Sequence, residues 1–253
     1  MNQYINDQAW ETLRLKFSTA TPFRHVVIDD FFTPSIASLL FDEFPDYNSD
    51  VWNAHYNNPL ENKKACDHWT KFPPTTYRVF NYLCSDDFKH RMEFLTESPE
   101  VFPDIGLHGG GWHAHARGGK LNIHLDYSIH PKLKLERHYN LILYLTPNWN
   151  PDWGGGLELW SHDPETNSPK ECVTTVENKF NRAVIFDTTQ NSWHGLPENL
   201  NCPDNEIRRS LAMYYVTEPA KDASPRPRAK YAPYGDQGND PEILKFIEKR
   251  QQL

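Results

Sequence analysis

The sequence predicts a mainly β fold, a sandwich or barrel with helices before it and a short helix after it. Three observations carry this expectation. From Gly106 onward, Gly109-Gly110-Gly111 and Gly118-Gly119 punctuate short segments of two-residue periodicity. β-like runs follow at 120–127, 139–146, 156–160, 171–176, 182–188 and 208–217. Turn chemistry separates them: Pro147-Asn148, Asn150-Pro151-Asp152, Asp163-Pro164 and Cys202-Pro203-Asp204-Asn205. Many short strands at this spacing specify a sandwich or barrel rather than βαβ units.

Taken in chain order, the first strand signal is His25-Val26-Val27-Ile28. A helix start follows, with Thr33 as N-cap, Pro34 at the first helical position and Ile36, Leu39 and Leu40 on one face. Residues 45–75 are polar and aperiodic and are expected to be surface loop. Residues 75–98 carry Val79, Phe80, Leu83, Phe88, Met92 and Leu95 at helical spacing, enough for one or two helices. Gly154-Gly155-Gly156 begins a strand, and no helix follows that would make it a phosphate cradle. Asp240 and Pro241 open a closing helix with Ile243, Leu244 and Ile247. The expected organisation is a single domain over 1–253: an N-terminal mixed helical and loop segment (1–105), the β core (106–218), and a C-terminal loop and helix (219–253).

Composition narrows the function. Lys+Arg 26 against Asp+Glu 34 gives a formal charge of −8, which argues against a general nucleic-acid or anionic-membrane binder, whose affinity rests on Lys and Arg. Apolar runs such as Leu141–Leu145 are far short of the roughly 20 apolar residues of a spanning helix. The N-terminus lacks the basic and apolar regions of a signal peptide. Cys66, Cys84, Cys172 and Cys202 are scattered without a C-x-x-C pair, so a reduced, cytoplasmic compartment and small buried or half-buried thiols are expected.

His124-Leu125-Asp126 ends the 120–127 run. Alternate strand residues share a face, so His124 and Asp126 project together while Leu125 points away. His194 follows the apolar run Ala183-Val184-Ile185-Phe186 through a short connection. Two imidazoles and one carboxylate match the facial triad of non-haem Fe(II) oxygenases. Alone, the pair is weak: 12 His and 18 Asp yield about one H-x-D by chance.

Further on, Arg208, Ser210, Ala212 and Tyr214 share one strand face, and Arg209, Leu211, Met213 and Tyr215 the other. An Arg and a hydroxyl two apart make a carboxylate site, the guanidinium fork taking both oxygens. In Asn140–Leu145, apolar on both faces, Asn140 and Tyr144 lie on the face of Ile142.

These features occur in a fixed order. His124-Leu125-Asp126 is followed by Arg137-His138-Tyr139-Asn140-Leu141-Ile142-Leu143-Tyr144, then Trp153-Gly154-Gly155-Gly156-Leu157, then Asn181-Arg182-Ala183-Val184, then Ser192-Trp193-His194-Gly195, then Arg208-Arg209-Ser210. Over about residues 110–217 this order resembles the prolyl 4-hydroxylase-like branch of the 2-oxoglutarate/Fe(II)-dependent dioxygenases.

The resemblance implies a double-stranded β-helix (jelly roll) and a hydroxylase acting on an unactivated C–H bond of a peptidyl proline, a free amino acid or another small molecule. It implies Fe(II) held by His124, Asp126 and His194, and 2-oxoglutarate held by Arg208, Ser210 and Tyr144, with dioxygen consumed and ascorbate in support. The competing class is a cupin-like metal protein or a small-carboxylate sensor that is not an oxygenase. No nucleic-acid or membrane partner is expected. His113 and His115 are expected in packing or surface roles, with a place along the 2-oxoglutarate or substrate side as the alternative, the Trp residues of the β region mostly in the core, and Arg226 and Arg228 in solvent.

Overall fold

β-Branched and aromatic residues at period two build the centre of the molecule, and their two faces go to different places. The computed structural model describes residues 3–189 and 191–252. Helix α1 (Trp10–Thr19) leads into β1 (His25–Ile28) and α2 (Pro34–Asp42). A hairpin of β2 (Ala54–Asn58) and β3 (Glu61–Cys66) precedes α3 (Pro74–Leu83) and α4 (Asp86–Thr96). Then come β4 (Phe102–Pro103), β5 (Gly111–His115), β6 (Lys120–Leu125), β7 (Glu136–Tyr144), β8 (Leu157–Asp163) and β9 (Ser168–Val176). The chain continues through β10 (Ala183–Asp187), β11 (Trp193–Leu196), β12 (Arg208–Thr217) and β13 (Lys230–Tyr231) to α5 (Pro241–Gln252).

Two antiparallel arrays, β10–β7–β12–β5 and β6–β11–β8–β9, form the jelly roll. Strand β3 pairs with both β5 and β6 and so joins the arrays at one side. This corrects the expectation of a loop over 45–75. The β2–β3 segment lacks apolar alternation because β2 is mostly exposed and β3, although it buries Glu61, Ala65 and Cys66, is otherwise polar and is ordered by pairing with β5 and β6. Helix α1 buries only Leu13 and Phe17, too few to mark a helical stripe in the sequence.

Strand β7 shows how the core is divided. Tyr139, Leu141 and Leu143 face Phe17, Phe80, Leu83 and Phe88 of the helical layer. Ile142 and Tyr144 face inward to Leu157, Leu159, Val184 and Phe186. Each such buried side chain contributes about 1.5–3 kcal/mol, so the helices and the second sheet are held on opposite faces of one strand. At Gly111 (φ +84) a Cβ would lie 2.0 Å from the Cys66 carbonyl, so only glycine lets β5 approach β3. Asp240 Oδ1 accepts from the N–H groups of Glu242 (2.9 Å) and Ile243 (3.2 Å), capping α5 as expected. Thr33 holds the N-cap position of α2 but makes no side-chain cap.

The four cysteines are free; Cys172 is exposed, because β9 is an edge strand. Among the described residues no helix is long and apolar enough to cross a membrane.

Asp187 locks β1 to β10. Its carboxylate accepts from Arg24 (Nη2, 2.5 Å) and from Thr189 N (2.8 Å), with His138 Nε2 at 3.6 Å. Burial alone would raise its pKa, but His138 and the Thr189 hydrogen bonds hold it down at about 2. Between that value and the ordinary 3.8 the unfolded chain binds more protons, so this stabilisation is present above about pH 4 and is lost as pH falls through about 2. Asp187→Asn should remove about 2 kcal/mol at neutral pH and flatten this acid limb in urea titrations; an unchanged limb would show that the group does not carry it.

Candidate metal centre and anion pocket

Strands β6 and β11 run antiparallel with His194 directly opposite His124. Close approach of the strands requires Gly195, where a Cβ would lie 2.7 Å from the Leu121 carbonyl. The two imidazole rings come to 4.4 Å between centroids. Asp126 follows the end of β6, and its oxygens lie 3.5 Å from His124 Nε2 and 4.0 Å from His194 Nε2. His124, Asp126 and His194 are all buried, and one potential ligand atom from each lies within 4.8 Å of the others. The sequence-predicted triad is therefore assembled.

The local backbone fixes the chemistry of the rings. His124 Nδ1 sits 2.9 Å from the Asn122 carbonyl and His194 Nδ1 2.8 Å from the Ser192 carbonyl. A carbonyl only accepts, so each Nδ1 carries the proton and each Nε2 presents a lone pair beside Asp126. Burial, reinforced by the charge of His124, lowers the His194 pKa to about 4, so that ring is neutral near pH 7. Burial would raise the pKa of Asp126, but His124, Arg137 and His194 hold it well below the carboxylate range. Its Oδ2 is buried with no hydrogen-bond partner among the described residues. Two imidazole Nε2 atoms turned toward an ionised, incompletely satisfied carboxylate suit a divalent first-row metal with coordination positions left open.

The opposite wall belongs to β12, and strand alternation operates as expected. Arg208, Ser210, Ala212 and Tyr214 line the same cavity as the triad, about 200 Å³ in volume. Arg209 points away, over the Phe41 ring at 5.2 Å. Arg208 is 2% exposed, and its Nε donates to the Gly155 carbonyl at 2.7 Å. No carboxylate among the described residues pairs with it, and burial lowers its pKa. A buried cation without a counter-ion is costly unless a ligand supplies the charge. Tyr144 packs its ring 5.0 Å from the Arg208 guanidinium but lies off the cavity wall, its buried hydroxyl unpartnered among the described residues.

Two expectations are corrected here. His113 and His115 line the cavity, because β5 pairs with β12 so that His115 faces Arg208 and His113 faces Ser210. Burial lowers the pKa of His113 to about 3 and holds that of His115 well below its ordinary value, so both are neutral, and neither nitrogen of His115 has a hydrogen-bond partner among the described residues. Their own segment puts both on one face ahead of β6 but leaves packing and cavity roles open; the strand opposite decides between them. Arg226 is half-buried, not solvated, and its Nε donates to the Asp126 carbonyl at 3.1 Å. Arg228 is exposed, and Trp112 and Trp193 are core residues.

Sequence inspection assigned no role to Arg137. It is 3% exposed, lies 3.3 Å from the Tyr214 ring centroid and 3.9 Å from that of Tyr127, and reaches within 3.8 Å of Asp126 Oδ1. Its second terminal nitrogen donates to the His108 carbonyl. Its neighbours Glu136, His138 and Asn140 on β7 are polar as well, so its charge does not stand out in the sequence.

Residues 110–216 match the sequence model of the 2OG-Fe(II) oxygenase superfamily. Over 231 residues the chain is 24% identical to a Xenopus laevis protein named prolyl 3-hydroxylase OGFOD1, a match covering 86% of this chain but only 40% of the relative's length. A Pseudomonas putida prolyl-4-hydroxylase has a similar structure, with TM-score 0.57, 14% identity, and coverage of 81% of this chain and 99% of that one. So has a Trichoplax adhaerens prolyl hydroxylase in complex with a hypoxia inducible factor peptide fragment, with TM-score 0.55, 18% identity, and coverage of 83% and 94%. At these identities the structural likenesses speak to the fold.

Replacing Arg137 by Met strips Asp126 of its neighbouring buried guanidinium. The metal-free protein should lose about 3–5 kcal/mol in urea unfolding; a loss under about 1 kcal/mol would show that the pair contributes no more than a surface contact.

Proposed function

We propose that the chain, whose residues 110–216 match the sequence model of the 2OG-Fe(II) oxygenase superfamily, is a 2-oxoglutarate-dependent hydroxylase whose substrate is a prolyl residue within a polypeptide. One observation carries the reaction class: three buried donors converge on the same cavity as a buried guanidinium that lacks a carboxylate partner. The substrate class is supported by the name of the Xenopus relative, whose match spans 86% of this chain.

In this proposal His124 Nε2, His194 Nε2 and Asp126 hold Fe(II), while Arg208 and Ser210 take the distal carboxylate of 2-oxoglutarate, with Tyr144 behind Arg208. Bound together, the metal and cosubstrate couple oxidative decarboxylation by dioxygen to hydroxylation of a substrate C–H bond. The protein's part is geometry and electrostatics. Carbonyls of Asn122 and Ser192 keep the two rings in the ligating tautomer. Arg208 meets a carboxylate where water is excluded, so its charge-assisted bonds are stronger than at a surface. Neutral His113 and His115 add polarity to the cavity without repelling a diacid.

Succinate release from 2-oxoglutarate with Fe(II) and ascorbate should be measurable and should rise with a proline-containing peptide that mass spectrometry finds hydroxylated. No succinate and no 2-oxoglutarate binding by the wild type would overturn the oxygenase proposal. Arg208→Ala should weaken 2-oxoglutarate binding about 100-fold, about 2.7 kcal/mol, whereas Arg209→Ala should change it less than about threefold; the reverse pattern would assign the clamp to the wrong face. His194→Ala should abolish stoichiometric Fe(II) binding, and retained iron would remove it from the ligand set.

A further inference from the structure

A larger groove, about 610 Å³, lies beside the metal cavity and shares only Leu196 with it. In β8, Leu157 and Leu159 point into the barrel, so the intervening Glu158 lies on the opposite face and opens into this groove. Glu177 and Glu198 line it as well; Glu177 lies 3.9 Å from Arg182 Nη1, and the cation of the lining, Lys179, has its ammonium held by Asp29 Oδ2 at 2.9 Å. Trp149 and Phe180 give it aromatic surface.

The carboxylates are held in place. Glu158 accepts from Trp160 Nε1 at 2.8 Å and Glu198 from the Tyr234 hydroxyl at 2.7 Å. Burial and the charge of Glu198 raise the Glu158 pKa, so a cation between them would be favoured. The three glutamates do not form a metal-binding group; among the described residues the triad alone does.

Asn178 supplies an independent observation. It lines the groove, is 6% exposed, and neither its amide oxygen nor its amide nitrogen has a hydrogen-bond partner among the described residues. A buried amide with both functions unsatisfied costs about 1–3 kcal/mol for each group left unpaired. Its acceptor and donor are adjacent, which matches the N–H and C=O of a peptide backbone. Lys or Arg side chains suit the remainder, their methylene stems on Trp149 and Phe180 and their charged heads at the glutamates.

We propose that this groove is a second binding site, for an extended basic segment of a polypeptide. Room for several residues, a backbone-complementary amide, aromatic walls and a net negative lining favour that ligand over a free small cation, which would leave the amide unpaired. The wall shared through Leu196 places such a segment next to the metal cavity, where a tethered chain would be held at raised local concentration.

The test is fluorescence anisotropy with a fluorescein-labelled Gly-Lys-Gly-Arg-Gly-Lys-Gly-Arg peptide, in EDTA and without 2-oxoglutarate. The wild type should bind this peptide and not its Gly-Glu counterpart. Glu158→Gln combined with Glu198→Gln should weaken binding about tenfold. Asn178→Leu, close in volume, should weaken it about fivefold. Both variants should melt within about 4 °C of the wild type, which separates lost binding from lost folding. Wild-type affinity in both variants, equal binding of the acidic peptide, or displacement by equimolar spermidine would overturn the proposal. Because metal and cosubstrate are absent, failure here leaves the hydroxylase proposal intact, and failure of the succinate assay leaves this one intact.

Discussion

Antiparallel pairing of β6 with β11 is the constraint on which the site depends. It sets His194 opposite His124 with no loop between them to flex, and the close approach at Gly195 leaves no space for the strands to separate. Each imidazole is further anchored by the carbonyl two residues before it, a bond that the strand supplies from its own backbone. Two rings with a fixed tautomer on a fixed ladder form a preorganised pair of donors, and the acidic side chain at the end of β6 completes the set.

Around that pair the charge balance is deliberately incomplete. Among the described residues Asp126 has a nearby guanidinium in Arg137, yet one of its oxygens lacks a hydrogen bond, and Arg208 has a carbonyl but no carboxylate. In a buried cavity such groups are destabilising, and a bound cation and anion would relieve that cost at the same atoms. Tyr127 and Tyr214 clamp Arg137 from both faces, keeping the residual positive charge beside the carboxylate.

The outer layers serve the same centre from behind. Helices α1 to α4 cover the outer face of the sheet that carries Arg208 and Ser210, and the β2–β3 hairpin bridges the two arrays. After β12 the chain returns across the metal strand: Arg226 bonds the Asp126 carbonyl, Lys230 and Tyr231 pair with Leu125 and His124, and the Tyr231 ring stacks on His124 at 5.2 Å. Each metal-side residue is thus supported by a segment far away in sequence.

Much of this was legible from residue order. Alternation alone put Arg208, Ser210 and Ala212 on one face and Arg209 on the other, and the structure keeps that division, because side-chain direction in a strand is a local property. The core strands and the capped start of α5 were local signals too. Pairing is not local. His113 and His115 face the cavity because β5 adds to β12 in a particular register, the 45–75 region contains strands because partners exist for them, and Arg226 leaves solvent because a carbonyl a hundred residues earlier accepts its hydrogen bond. The sequence by itself determined which side chains lie together along each strand. Only the tertiary structure decided which strands meet, since that depends on buried area and hydrogen bonds summed over the whole molecule.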